Sequence, residues 1–174
     1  MIMVVVAPMM ILFRRYFYHV NDKLHRITLL DDPNKTPHLL LCNFDLVGMN
    51  YLWHLVFVAD DRVAQIGIDM LQTLYTNLDH HLLPQQRQIN LEFLRKCFIP
   101  LSTSHKQVVD ILSAHMPDAH IQPTAFIETL PDSEKTLLAA KMRHMHRVVQ
   151  MLQRFLVESD HLFQDPRLRL PLAL

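Results

Sequence analysis

Glycine is almost absent from this chain, and its absence limits the folds that the chain can adopt. Only two of the 174 residues are glycine, Gly48 and Gly67, and both lie in stretches with helical periodicity. Tight β-hairpins, phosphate-binding loops and dinucleotide-binding folds use glycine where the backbone turns sharply or approaches a ligand. The ten prolines lie mostly between apolar blocks, where proline ends helices. Together these two observations predict an all-α chain without a strand layer.

Residues 45–78 predict a helical hairpin that the rest of the chain must cover. A first helix is expected over Leu46–Val58, with Asp45 capping its start. The acidic corner Asp60-Asp61 would then cap the second helix. One apolar stripe of that helix follows the i, i+3, i+4, i+7 spacing: Val63, Ile66, Met70, Leu71, Leu74 and Leu78. A hairpin of two helices cannot bury both stripes by itself, so neighbouring helices are expected.

Further helices are expected on both sides of this hairpin. They run over Met9–Leu24, over Ile89–Met116 and, longest of all, over Glu134–Leu162. The connector at 25–43 contains the apolar run Leu39-Leu40-Leu41, which we expect to pack in extended form, and the proline-containing tail at 165–174 should also be extended.

Two local signals refine these helices. Pro100 should produce either a kink or a restart near Thr103, because proline removes one helix hydrogen bond and clashes with the preceding turn. Asp132 or Ser133 should cap the last helix. Five to six unequal helices favour a right-handed stack of antiparallel pairs, an armadillo- or HEAT-like α-solenoid, over a four-helix bundle. Residues 1–164 are therefore expected to form one helical domain, although no repeat of about 40 residues is visible.

Charge and cysteine usage limit the function classes. Acidic and basic residues balance at 17 each and form no basic block, so a nucleic-acid partner is not expected. Cys42 and Cys97 have no paired spacing, which is typical of reduced thiols in a cytosolic or nuclear protein. The apolar segment 1–13 is interrupted by Pro8 and is shorter than the roughly 20 residues of a spanning helix. A buried helix is the favoured interpretation, and a membrane anchor is the alternative.

Twelve histidines raise the possibility of a metal site. Neither an HExxH motif nor a paired Cys/His spacing is present. His144 and His146 are two residues apart on a helix and point to different faces. His80 and His81 lie in a loop with only Asp79 as a further ligand. The sequence therefore predicts no metal site.

No catalytic or cofactor-binding residue is predicted either. Cys97 lies on an apolar helix face, and Cys42, near a helix start, is the better candidate for a nucleophile. There is no GxSxG motif and no phosphate-binding loop, and Ser102–Ser104 indicates local capping or a modification site.

Two side-chain sets on helices have both a functional and a structural interpretation. A phosphate-binding stripe or a solvated face would explain the basic residues Lys141, Arg143, Arg147 and Arg154. A partner groove or core packing would explain the methionines Met70, Met142, Met145 and Met151. In both cases the structural interpretation is favoured.

Three short motifs of the hairpin carry a family resemblance. They are LVGMNYLW at 46–53, the acidic pair at 60–61 and YTNL at 75–78. In this order they resemble the non-catalytic helical region of the very large ubiquitin-specific proteases of the fat facets type. The resemblance extends to LFRRYFYHVNDKL at 12–24 and to INLEFLRKCF at 89–98.

It also includes the long last helix and the Pro-Arg-x-x-Leu-Pro ending at 166–171, whereas no resemblance is visible by eye in 1–10 and 104–132. The resemblance implies an armadillo-like solenoid segment upstream of a ubiquitin-like domain and a cysteine-protease domain. The family's Gly-Asn-Thr-Cys-type turn and His box are absent here, so no catalytic residue carries over.

The expectation is thus a non-catalytic scaffold in ubiquitin removal, located in the cytoplasm or nucleus. Its partners would be proteins or ubiquitinated substrates, together with neighbouring helical repeats of a longer chain. Two alternatives remain: a stand-alone hydrolase with Cys42 paired to a histidine, and a helical protein anchored to a membrane by residues 1–13.

Overall fold

The computed structural model of the chain describes residues 7–30, 38–115 and 130–158. Five α-helices lie in these ranges: α1 Ala7–Lys23, α2 Met49–Val58, α3 Asp61–Thr76, α4 Gln86–His115 and α5 Asp132–Glu158. Two short strands, β1 Ile27–Leu30 and β2 His38–Leu41, separate α1 from α2 along the chain, and a 3-10 turn at Leu83–Gln85 precedes α4. The expected all-α class with five helices is confirmed.

The chain forms two compact units. Of the described residues, the first unit contains 7–30, 38–93 and 153–158, and the second contains 94–115 and 130–152. A single helical domain over 1–164 stays a prediction, and the extended tail at 165–174 lies outside the described residues.

The expected helical hairpin is formed by α2 and α3 in the first unit. The Asp60 carboxylate accepts hydrogen bonds from the backbone N–H groups of Arg62 at 2.9 Å and Val63 at 3.0 Å, so its prediction as a cap is confirmed. The covered face of α3 comprises Val63, Ala64, Gly67, Ile68, Met70, Leu71, Leu74 and Tyr75. Of the predicted stripe, Val63, Met70, Leu71, Leu74 and Leu78 are buried, whereas Ile66 is only half-buried.

The prediction of Asp45 as the cap of α2 is wrong. The helix begins at Met49, after Gly48 in the left-handed conformation with φ 85°. The backbone N–H of Val47 donates to the side-chain oxygen of Asn21 at 2.8 Å, which holds this segment against α1 in a non-helical path. The Asp45 carboxylate instead pairs with Arg26 at 3.0 Å.

The sequence does not predict the pairing of β1 with β2, which form a small antiparallel ribbon. Ile27 pairs with Leu41, and Leu30 pairs with His38. Residues 31–37 connect the strands, and a connection of that length does not need the glycine of a two-residue turn. Leu39 and Leu41 point inward with only 2% and 0% exposure, so the apolar run predicted to be extended is half of this ribbon.

An aromatic cluster forms the core of the first unit. The Phe93 ring lies 5.7 Å from Trp53, 4.8 Å from Tyr75 and 4.3 Å from Phe155, between ring centroids. Aromatic pairs at these separations contribute about 0.5–1.5 kcal/mol each beyond their buried area. The stretches at 53, 75, 93 and 155 are therefore joined by one packed group.

The second unit has its own smaller core, formed by Val108, Leu130 and Leu138 with Leu112 and Met145 packed against it. Helix α4 continues through Pro100, so the restart near Thr103 does not occur. Helix α5 begins at Asp132 itself, and the Pro131 carbonyl accepts the N–H groups of Glu134 and Lys135. Asp132 therefore lies in the first turn rather than ahead of it, where a cap would be.

Candidate functional site

The two thiols lack the surroundings of a catalytic cysteine. Cys97 is fully buried, and burial raises the pKa of its thiol to about 12. The Cys42 sulfur lies 3.4 Å from the hydroxyl of Thr28 and 3.8 Å from the carbonyl oxygen of Leu40. Neither group can remove the thiol proton, and neither thiol contacts a histidine among the described residues.

The second unit contains a serine–histidine contact that the sequence does not predict. The hydroxyl of Ser104 on α4 lies 2.9 Å from Nδ1 of His144 on α5. Ser104 is only 2% exposed. Burial, with the nearby charges of Lys141 and Arg147, lowers the pKa of His144, so the imidazole is neutral in the folded chain.

Periodicity could have placed Ser104, although not its partner His144, on a covered helix face. Cys97, Leu101, Ser104 and Val108 follow the spacing of one helix face, and that face is the covered side of α4. Polar residues on a covered face need a hydrogen-bond partner. Ser104 is therefore a link between two helices rather than the cap or modification site that its neighbours indicated.

The basic residues of α5 do not form a stripe. Arg147 is only 4% exposed. Arg154 pairs with Asp69 on α3 at 2.6 Å, within the first unit. Arg143 is exposed and Lys141 is half-buried. The four cations therefore differ in burial and partners, which does not favour a phosphate-binding surface.

The four methionines named in the sequence analysis also differ in burial. Met70 and Met151 are core residues with 2% and 3% exposure, whereas Met142 is 52% exposed. Met145 is partly buried against the core of the second unit, so three of the four have the expected role in core packing.

A cavity of about 530 Å³ lies in the first unit between α1, the ribbon and α3. Its polar lining includes Arg14, Arg15 and Tyr18, and Leu29 and Leu39 supply apolar walls. Burial raises the pKa of Tyr18 to about 12 with a smaller contribution from Asp69, while Arg14 lowers it. The phenol is therefore neutral and can donate a hydrogen bond in this cavity.

The structure brings Asp79, His80 and His81 together in the turn after α3. Their ligand atoms all lie within 4.8 Å of one another. No metal site is expected from the sequence, since three adjacent residues give no helical or paired spacing. Their ligand atoms converge because of the conformation of the turn, which the spacing of the residues in the sequence does not indicate.

Large apolar side chains remain exposed on both long helices. On α4 they are Leu91, Phe98, Ile99 and Val109, with 38% to 60% exposure. On α5 they are Leu137, Met142, Val149, Leu156 and Val157, with 45% to 70% exposure. The apolar surface of α5 is therefore wider than the part that is covered among the described residues, as at surfaces that contact other protein.

Within residues 7–30, 38–115 and 130–158, no helix combines the length and the apolarity needed to cross a bilayer.

The hairpin motifs that carry the resemblance have structural roles. Gly48 supplies the left-handed residue before α2, and Trp53 and Tyr75 belong to the aromatic cluster. Asn77 accepts the N–H of Leu41 at 2.7 Å through its carbonyl oxygen. These residues build the hairpin and attach it to the ribbon.

No protein-family model matches the chain. A probable ubiquitin carboxyl-terminal hydrolase FAF of Drosophila melanogaster is 26% identical over 164 residues, which are 92% of this chain and 6% of that protein. Ubiquitin carboxyl-terminal hydrolase 9Y of Homo sapiens is 26% identical over 161 residues, 92% of this chain and 5% of that protein. Ubiquitin carboxyl-terminal hydrolase 9X of Mus musculus is 25% identical, with 92% and 5% covered.

The chain thus spans only 5% to 6% of the length of these relatives. Along 92% of its residues it is related in sequence to a short segment of very large ubiquitin carboxyl-terminal hydrolases, and its resemblance to the fat facets type is confirmed.

Proposed function

We propose that this chain is a non-catalytic helical scaffold segment of a deubiquitinase, which binds protein partners or ubiquitinated substrates during ubiquitin removal. One observation carries the proposal: in the motifs that resemble that family's hairpin, Gly48, Trp53 and Tyr75 serve packing and backbone geometry. Because these residues serve packing, the contribution that we expect from this segment is a folded surface for binding and not a catalytic group.

The thiol environments support the non-catalytic role. Cysteine hydrolysis needs a thiolate and a base within hydrogen-bond reach. Cys97 is buried, with its pKa raised to about 12, and the polar contacts of Cys42 are a hydroxyl and a carbonyl. These surroundings favour the scaffold over the stand-alone hydrolase.

The exposed apolar side chains support a place within a stack of helices. Phe98, Ile99 and Val157 are 53%, 60% and 70% exposed, although each lies on a long amphipathic helix. In armadillo- and HEAT-like solenoids each helical pair covers the apolar face of the next. We infer that neighbouring helical repeats or a bound protein cover these residues. The two free thiols favour the cytoplasm or nucleus as the location, because thiols stay reduced there.

An electrophilic ubiquitin probe tests the absence of catalysis. The probe carries a thiol-reactive group at the ubiquitin C-terminus, and we expect no covalent adduct with the isolated chain. A cysteine deubiquitinase is the positive control, and the Cys42→Ser variant is the matched control. An adduct that disappears in Cys42→Ser would contradict the proposal.

A competition assay tests the scaffold role. The isolated chain, added in excess to a full-length relative, should slow ubiquitin removal from protein conjugates, because it occupies the same partners. It should not affect cleavage of a small ubiquitin–fluorophore substrate. Substitution of Phe98 and Ile99 by glutamine should weaken the competition, and equal inhibition of both substrates, or none, would contradict the role.

A further inference from the structure

The turn at residues 79–81 has a fixed backbone. The N–H of Asp79 donates to the carbonyl of Leu41 on β2 at 2.8 Å, and the N–H of Leu82 donates to the carbonyl of Asp79 at 2.9 Å. Leu78 and Leu41 also form a parallel bridge. The turn is therefore attached to the ribbon, and the fold sets where the side chains of Asp79, His80 and His81 leave the backbone.

One carboxylate lies at the centre of this turn. Oδ1 of Asp79 accepts the backbone N–H of His81 at 3.0 Å and lies 2.9 Å from Nδ1 of His80 and 3.9 Å from Nε2 of His81. The Asp79 side chain is only 17% exposed, whereas the imidazoles are 73% and 77% exposed. The two rings lie 3.6 Å apart between centroids.

This arrangement places two imidazoles against a single anionic group. One divalent cation could accept a lone pair from a ring nitrogen of each imidazole and from the carboxylate oxygen.

We propose that Asp79, His80 and His81 form a binding site for one divalent transition-metal ion of the zinc class. Imidazole nitrogen and carboxylate oxygen suit zinc, nickel or copper, whereas magnesium and calcium prefer oxygen ligands alone. In the described part of the chain, this is the one group of three such residues with converging ligand atoms.

The geometry needs a small adjustment that the surface allows. Zinc ligands at about 2.1 Å from the metal lie about 3.4 Å from one another in a tetrahedral site. Here the ligand atoms fall within 4.8 Å, and the exposed imidazoles can rotate without loss of core packing. Three protein ligands leave a fourth position for water or for a side chain of a bound protein.

Calorimetric titration of the full chain with zinc chloride tests the site. We expect one saturable site, and we expect the affinity to fall by about tenfold or more in each of Asp79→Asn, His80→Asn and His81→Asn. The amide of Asp79→Asn keeps an acceptor for the His81 N–H, so the turn persists. The matched control is His54→Asn, an exposed histidine on α2 outside the turn, which should bind zinc like the parent chain.

Two further measurements identify the ligands. The imidazole NMR signals of His80 and His81 should shift on zinc addition, and magnesium chloride should shift neither. Zinc binding that survives all three substitutions, or that is lost in Cys42→Ser instead, would overturn the proposal. Failure of zinc to produce a saturable heat would overturn it as well.

Discussion

Gly67 and Val56 approach so closely that a β-carbon at residue 67 would lie 2.8 Å from Cγ2 of Val56. Real β-carbons essentially never make contacts this short, and the branched side chain of valine has few rotamers with which to move away. The absence of a side chain at residue 67 therefore sets how closely α2 and α3 can pack.

Gly67→Ala should destabilise the chain although alanine is the better helix former. Overpacking costs about 1–3 kcal/mol, and the gain in helix propensity returns at most about 1 kcal/mol. We expect the free energy of unfolding to fall by about 1–2 kcal/mol, measured by denaturant titration followed by circular dichroism.

The control is the same substitution in a Val56→Ala background, which removes the clashing methyl group. There Gly67→Ala should be neutral or stabilising, since the remaining neighbours of the new methyl lie at 3.6 Å and beyond. An equal loss in both backgrounds would contradict the packing argument.

Asn21→Leu should be among the more damaging single substitutions on α1. Asn21 is fully buried, and its side chain accepts the N–H of Val47 at 2.8 Å and donates to the carbonyl oxygen of Val47 at 3.1 Å. Leucine leaves both groups without this partner, so we expect a loss of about 2 kcal/mol or more in denaturant titrations. Asn43→Ala, which removes one exposed bond to the Asp45 N–H, should cost clearly less; similar losses would argue against a special role for Asn21.

Stability should fall on acidification because of His144. Its pKa is lowered in the folded chain, so between that value and the ordinary value of about 6.5 the unfolded chain binds more protons. The contribution of neutral His144 is therefore complete above about pH 6.5 and is lost as the pH falls through the folded-state pKa. Thermal unfolding in a pH series should show this slope in the parent chain and in His146→Gln, and a reduced slope in His144→Gln. An unchanged slope in His144→Gln would contradict the assignment.

The two thiols should differ strongly in reactivity. Cys97 is fully buried, with its pKa raised to about 12, whereas Cys42 is half-buried beside the ribbon. A small thiol reagent at pH 8 should therefore label one cysteine in the native chain and two after denaturation, read by intact mass. Native Cys42→Ser should remain unlabelled, and rapid labelling of that variant would show that Cys97 is accessible.

Local sequence signals were sufficient to predict the helices. They were insufficient where residues distant in the sequence determine the local structure. Asp60 and Asp45 both have the form of a helix cap, but only Asp60 is one, because Asn21 holds Val47 in a different path from a position 26 residues earlier. No residue close to Asp45 in the sequence indicates the hydrogen bond between Asn21 and Val47.

The ribbon and the serine–histidine contact were missed for the same reason. The run Leu39-Leu40-Leu41 is too short to indicate a strand by itself, and its partner, Ile27–Leu30, lies on the other side of a seven-residue connection. Ser104 and His144 are 40 residues apart. Periodicity identifies which face of a helix is covered, but it does not identify the residue opposite.

The backbone hydrogen bonds from Leu41 to Asn77 and Asp79 limit where the chain can be truncated. They close residues 41–79 into a loop through main-chain atoms, so the end of α3 depends on a strand that precedes the hairpin. A truncation starting at α2 would leave the Asn77 carbonyl and the Asp79 amide without these partners. The shortest autonomous piece that retains the helical pair should therefore begin upstream of Ile27.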